Sequence, residues 1–205
     1  MSEYYTMKIA GLERKLEKFP VSDSLDIAAF IIFGDVELTV AGCKELLEKV
    51  PEFDVIVTPE AKSIPIAYEM SRQSGKPYII ARKGVKVYMR NPLKVSVTSI
   101  TTQKEQHLYL GETEVNQIKG KRVLIIDDVI STGESLAATR ELVKEAGGIE
   151  AAAASFLAEG DAADRDDIIF LEKLPLFFCC ASLLIFSASC SAFIRASSSA
   201  LALFS

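Results

Sequence analysis

Between Val21 and Phe170 the chain alternates short apolar, β-branched runs with segments whose apolar residues recur at helical spacing. Four runs read as strands: Phe53–Thr58, Pro77–Ala81, Arg122–Asp127 and Ala151–Leu157. They are apolar at nearly every position rather than at alternate ones, the pattern of strands covered on both faces. Helices are predicted around them. Val40–Val50 is stopped by Pro51, Pro65–Ser74 carries proline in its first turn and Gly75 just past its end, and Glu134–Ala146 is closed by Gly147 and Gly148. Strands alternating with helices in this way specify an α/β fold with a mostly parallel sheet flanked by helices.

Two stretches break the alternation. From Lys86 to Leu110 no helix signal appears, and Lys94–Thr102 alternates polar with apolar residues, so we read an exposed hairpin or a mobile flap. Beyond Phe177 the composition changes abruptly: residues 178–205 hold no acid and one base, Arg195. Residues 174–194 are uncharged for 21 positions, long enough for a membrane helix, but Ser, Ala and Cys lower their hydropathy. We read 178–205 as a low-complexity apolar extension and 1–177 as one domain; a tail anchor is the alternative.

With 205 residues, 49% of them apolar, the chain can bury one substantial core. Its net charge of −5 disfavours a nucleic-acid surface, which needs a dense cationic field. Cys43, Cys179, Cys180 and Cys190 form neither a disulfide framework nor a CxxC metal pair, which points to a reducing, cytoplasmic setting. The N-terminus is charged throughout and lacks the apolar core of a secretory signal, so export is not expected.

The densest candidate chemistry is Val123–Ser135, VLIIDDVISTGES, an apolar strand ending in two acids and followed by a hydroxyl and glycine loop that opens a helix. Backbone N–H groups at a helix N-terminus carry partial positive charge and suit a phosphate. Gly133 lets the backbone approach closely, Ser131, Thr132 and Ser135 add hydroxyls, and Glu134 completes the loop. Asp127 and Asp128 have acceptor-only side chains, suited to sugar hydroxyls or to magnesium held through water. The carboxyl end of a parallel strand is also where open α/β sheets bind ligands.

Four apolar residues, two acids, an apolar pair, then a small residue and Thr-Gly-x-Ser resemble the phosphoribosyl pyrophosphate signature of the type I phosphoribosyltransferases. Glu134 departs from the glycine that many members carry there. The resemblance implies transfer of a 5-phosphoribosyl group to a ring nitrogen with magnesium present, and release of pyrophosphate. It also implies that Ser131–Ser135 hold the 5′-phosphate and that Asp127 and Asp128 hold the ribose. A diphosphate loop is expected at Glu60, Ala61, Lys62 and Ser63, and Ala81-Arg82-Lys83 resembles the strand end of adenine and xanthine enzymes. Arg82 and Lys83 there would stabilise charge as the glycosidic bond breaks. Residues 88–110 correspond to the family's flexible loop, from which Lys94 and Lys104 can reach diphosphate.

In the purine branch a small N-terminal hood, here residues 1–36, covers the base. Phe30 or Phe33 can stack on a purine there, although aromatic residues more often fill a core, and Glu159 can accept a ring N–H. The implied partners are phosphoribosyl pyrophosphate and a purine, adenine first and xanthine or guanine next, and the implied assembly is a homodimer. A transcriptional sensor that binds phosphoribosyl pyrophosphate without catalysis is the rival, but the first 25 residues are too few for a winged helix. The single histidine, His107, lies in a predicted strand and is not assigned to catalysis.

Overall fold

A computed structural model describes residues 4–98 and 105–178. Lys104 and residues 179–205, with Cys179, Cys180, Cys190 and most of the apolar extension, lie outside the described residues. The central sheet has five strands, all parallel. They are β4 (Val55–Pro59), β5 (Tyr78–Ala81), β8 (Arg122–Ile130), β9 (Ile149–Glu159) and β10 (Ile169–Leu174), in the order β10-β9-β8-β4-β5. The parallel sheet that the alternation predicts is therefore present.

Continuous apolarity of these strands is explained by their two covered faces. Ile56, Leu124 and Ile126 point into one cluster, together with Leu38, Leu46, Ile66 and Met70 from α1 (Val36–Lys49) and α2 (Ile64–Ser74). The alternate residues Val55, Val57, Val123 and Ile125 point into the other, with Leu136 and Leu142 of α4 (Glu134–Glu145). Packing on the first face is tight enough that the Phe156 ring occupies the position a Cβ at Gly42 of α1 would take.

Helix α1 starts four residues before the predicted Val40. The Asp35 carboxylate accepts from the Leu38 N–H at 3.1 Å and caps the helix, and this polar cap extends it beyond its apolar run. Arg14 on β2 (Leu12–Ser22) reaches the same carboxylate, 3.0 Å from Nη2 to Oδ1, and Glu37 at 2.8 Å. That guanidinium holds the Asp35 carboxyl below its usual range and ties the N-terminal strands to the core.

Those strands, β1 (Tyr4–Ile9), β2 and β3 (Leu25–Ala29), form an antiparallel sheet that β11 (Phe177–Phe178) joins by pairing with Leu25 and Asp26. Phe177 packs edge-on against Tyr5, centroids 5.0 Å apart, under Lys18 Nζ at 4.3 Å. The stretch after β5 contains a hairpin, β6 (Leu93–Thr98) with β7 (Glu105–Leu110). Its base is fixed to the end of β5 by paired backbone bonds between Arg82 and Tyr109, 3.0 and 2.8 Å. His107 on β7 meets the Ser96 hydroxyl at 2.9 Å across the hairpin and packs near Tyr109. Helix α3 (Glu112–Ile118) follows. No helix among the described residues is long and apolar enough to cross a membrane.

Candidate active site

The order in which strands are added to the central sheet reverses between β4 and β8: the sequence leaves β4 toward β5 on one side and β8 toward β9 and β10 on the other. Loops at the carboxyl ends of strands diverge at such a point and leave a crevice between them. A cavity of about 390 Å³ occupies this crevice, roofed by the hood sheet.

From β8 come Asp127, Asp128 and the loop Ser131–Ser135. Gly133 takes φ +79°, a left-handed conformation that only glycine adopts freely, and α4 starts immediately after it. Strand β8 thus delivers the opening N–H groups of α4 to the cavity wall.

The two acids behave differently. Asp128 is buried, whereas Asp127 keeps part of its surface at the cavity and accepts the Asp128 N–H at 3.0 Å. Burial, then the charge on Asp128, drives the Asp127 carboxyl well above the usual range. Burial raises Asp128 as well, opposed by a hydrogen bond from Asp127 and by the charge on Lys62.

From β4 comes the segment Glu60–Ser63, whose Glu60–Ala61 peptide is cis. Glu60 accepts from Arg82 Nη1 and from the Lys83 N–H, both at 3.1 Å. Burial works against the ionised Glu60, but these donors outweigh it and hold the carboxyl below its usual range. Arg82 is therefore occupied in joining β5 to the β4 loop and does not line the cavity, whereas Lys83 does. The Ser63 hydroxyl is turned into the fold, 2.7 Å from that of Thr58 and 3.1 Å from the Pro59 carbonyl. Ser63 contributes backbone to the site rather than its side chain. Lys94 is exposed on β6 and lies away from the cavity.

At the hood end, Glu159 closes the cavity from the tip of β9 and is only 6% exposed. Burial pushes its carboxyl up to about 7, against a hydrogen bond with Ser131 and the charge of Lys62. The two aromatic candidates separate. Phe30 lines the cavity from within the core, 6% exposed and beside Phe156, whereas Phe33 is 53% exposed and outside the lining. The chain turns at Gly34, φ +83°, and carries Phe33 away. Two hood residues that sequence reasoning missed, Phe19 on β2 and Ile31, line the cavity with surface to spare, 38% and 62% exposed. Leu12, Arg14 and Leu16 share the less exposed face of β2 and Phe19 lies on the other, so no local alternation marked it.

The chain is similar to hypoxanthine/guanine phosphoribosyltransferase of Methanocella arvoryzae, 35% identical over 128 residues that make up 62% of this chain and 61% of that one. It is also similar to adenine phosphoribosyltransferase of Thermosipho africanus, 36% identical over 132 residues, 63% of this chain and 74% of the relative. This chain thus covers about six-tenths of the first relative's length and about three-quarters of the second's. Adenine phosphoribosyltransferase of Thermoanaerobacter pseudethanolicus shares the fold, with a TM-score of 0.64 at 22% identity over 78% of this chain and 95% of that one. The phosphoribosyl transferase domain matches residues 34–175, more than half of the chain, from the turn before α1 to the end of β10. By that match, the protein belongs to the phosphoribosyltransferase family.

Proposed function

We propose that the chain is a purine phosphoribosyltransferase that moves the 5-phosphoribosyl group of phosphoribosyl pyrophosphate to adenine, with xanthine or guanine as the next bases. The observation that carries this reading is the convergence on one cavity of the β8 acids, the β8–α4 loop, the β4 loop and Lys83, beneath an apolar hood. In this reading the loop Ser131–Ser135 binds the 5′-phosphate through backbone N–H groups and hydroxyls. Asp127 and Asp128 accept from the ribose hydroxyls, and Glu60–Ser63 with Lys83 face the diphosphate. As the C1–O bond to diphosphate breaks and the C1–N bond forms, Lys83 offsets charge on the leaving group and Glu159 accepts the ring N–H proton. Phe19, Ile31 and Phe30 supply the apolar surface against the purine.

Magnesium belongs to the same reading. Asp127 and Asp128 are adjacent oxygen donors, and among the described residues no group of three or more His, Cys, Asp or Glu side chains could hold an ion alone. Two carboxylates reached through water, with the rest of the shell from diphosphate and solvent, suit magnesium. When bound it supplies charge neutralisation to the diphosphate.

The test is pyrophosphate release from phosphoribosyl pyrophosphate and magnesium, with adenine, xanthine, guanine, hypoxanthine and uracil supplied separately. Release with adenine in excess of the others is expected. Tight binding of phosphoribosyl pyrophosphate without release for any base would instead favour the sensor. A homodimer completes the reading, motivated by Val85, Val87 and Tyr88, which stand exposed just beyond Lys83. Sedimentation equilibrium should give twice the 22.4 kDa chain mass, and a monomer at assay concentration would remove this part.

A further inference from the structure

The first turn of a helix carries partial positive charge, so acids settle there and cations are disfavoured unless an anion lies between. Helix α4 follows this rule with Glu134 in its first turn, yet a guanidinium from another segment also stands at its start. Arg165, in the segment between β9 and β10, places Nη1 only 2.6 Å from where a Cβ at Gly133 would stand. Its other nitrogens are committed elsewhere: Nε donates to Asp167 Oδ1 at 2.8 Å and Nη2 to Asp167 Oδ2 at 2.7 Å. This fork aims the remaining nitrogen at the start of α4.

The arrangement is held against further repulsion. Arg140, on α4 itself, donates to the same Asp167 Oδ2 at 2.6 Å and to Glu150 at 2.9 Å. Asp167 thus joins the two guanidinium groups and Glu150 also pairs with Arg140, while Arg165 is the one that stands at the start of α4. An unoccupied loop gains nothing from that charge, whereas a phosphate bound to it gains a fixed cation that Ser131–Ser135, with only neutral donors and Glu134, do not provide.

We propose that Arg165, clamped by Asp167, is a positioning residue for the 5′-phosphate: it packs on Gly133, fixes the β8–α4 loop and adds positive charge behind it. The inference rests on the functional reading above and extends it to a residue outside the cavity lining. It assigns Arg165 to the 5′-phosphate end of the substrate, and leaves the diphosphate to the β4 loop and Lys83.

Calorimetric titration of the full chain with ribose 5-phosphate and, separately, with inorganic pyrophosphate and magnesium tests it. Arg165→Gln should weaken ribose 5-phosphate about tenfold, the size of effect a fixed charge at a helix end can give, and leave pyrophosphate unchanged. Arg165→Lys keeps the charge but loses the fork on Asp167 and should recover part of the loss. In turnover, KM for phosphoribosyl pyrophosphate should rise with kcat nearly constant. Unchanged pyrophosphate binding also shows that the variant is folded. Equal loss of both ligands, loss of pyrophosphate alone, or no loss of either overturns the inference. A wild-type chain that binds neither ligand overturns the functional reading, and this inference with it.

Discussion

Asp128→Asn is expected to lower kcat/KM for phosphoribosyl pyrophosphate by roughly 10²–10³-fold while leaving the protein folded. Asp128 is 7% exposed, and its backbone N–H is held by the Asp127 carboxyl at 3.0 Å. An amide offers one acceptor oxygen and an NH₂ donor where the carboxylate offers only acceptors, so it faces the ribose hydroxyls with the wrong polarity. Losing one or two charge-assisted bonds in a buried site costs about 3–4 kcal/mol in total, which gives that range. Stability should move the other way. The carboxyl of Asp128 is raised chiefly by burial, so its ionised form is disfavoured in the fold, and a neutral amide removes that penalty. Activity assays with thermal unfolding at pH 8 check both halves. Activity within threefold of wild type would remove Asp128 from the ribose site.

How far the site could be read from sequence follows from how local each part is. The Asp127–Ser135 loop is a single run of residues on one strand-to-helix turn, so its spacing alone conveys its geometry. The β4 loop is equally local, and Lys62 and Lys83 fall where the motifs put them, in the cavity wall. The hood is different. It is an antiparallel sheet whose fourth strand, Phe177–Phe178, comes from the other end of the domain, and its 11-residue strand β2 is largely polar, LERKLEKFPVS, so its alternation is weak. Phe30 and Phe33 therefore looked equivalent in sequence. In the fold, Phe30 and Ile32 face inward while Ile31 and Phe33 face outward, and the Gly34 turn then takes Phe33 away from the cavity. Arg82 was legible as a cation beside the site, but not its engagement with Glu60, which depends on β4 and β5 lying side by side. Arg165 had no local signal at all, because its contact with Gly133 is made by a segment that the chain reaches only after β9.

Glu159 is the residue at which stability and function should oppose each other most clearly. Its carboxyl ionises near 4.5 when solvated and near 7 in the folded chain. The folded state thus binds more protons than the unfolded state between those values. Stability from this group is present below about pH 4.5 and falls as pH rises toward 7, by about 1.4 kcal/mol per unit. Above pH 7 the accumulated cost is on the order of 3–4 kcal/mol. Glu159→Gln keeps the shape and cannot ionise, so at pH 8 it should unfold at higher denaturant by about that amount, with little gain at pH 4.5. Base binding should respond in the opposite sense. If the ionised carboxylate accepts the purine N–H, KM for the base falls about tenfold between pH 6 and pH 8 in the wild type. In Glu159→Gln the profile is flat and remains near the weak end. Lys62 and Ser131 are the groups that face this carboxyl, and both favour its ionised form, so Lys62→Met should move the inflection upward. A Glu159→Gln chain that is no more stable at pH 8, or that keeps the wild-type profile for the base, would place the titrating group elsewhere. Both results together identify a carboxylate kept in the cavity at a cost to the fold, which is the signature of a residue retained for its ligand.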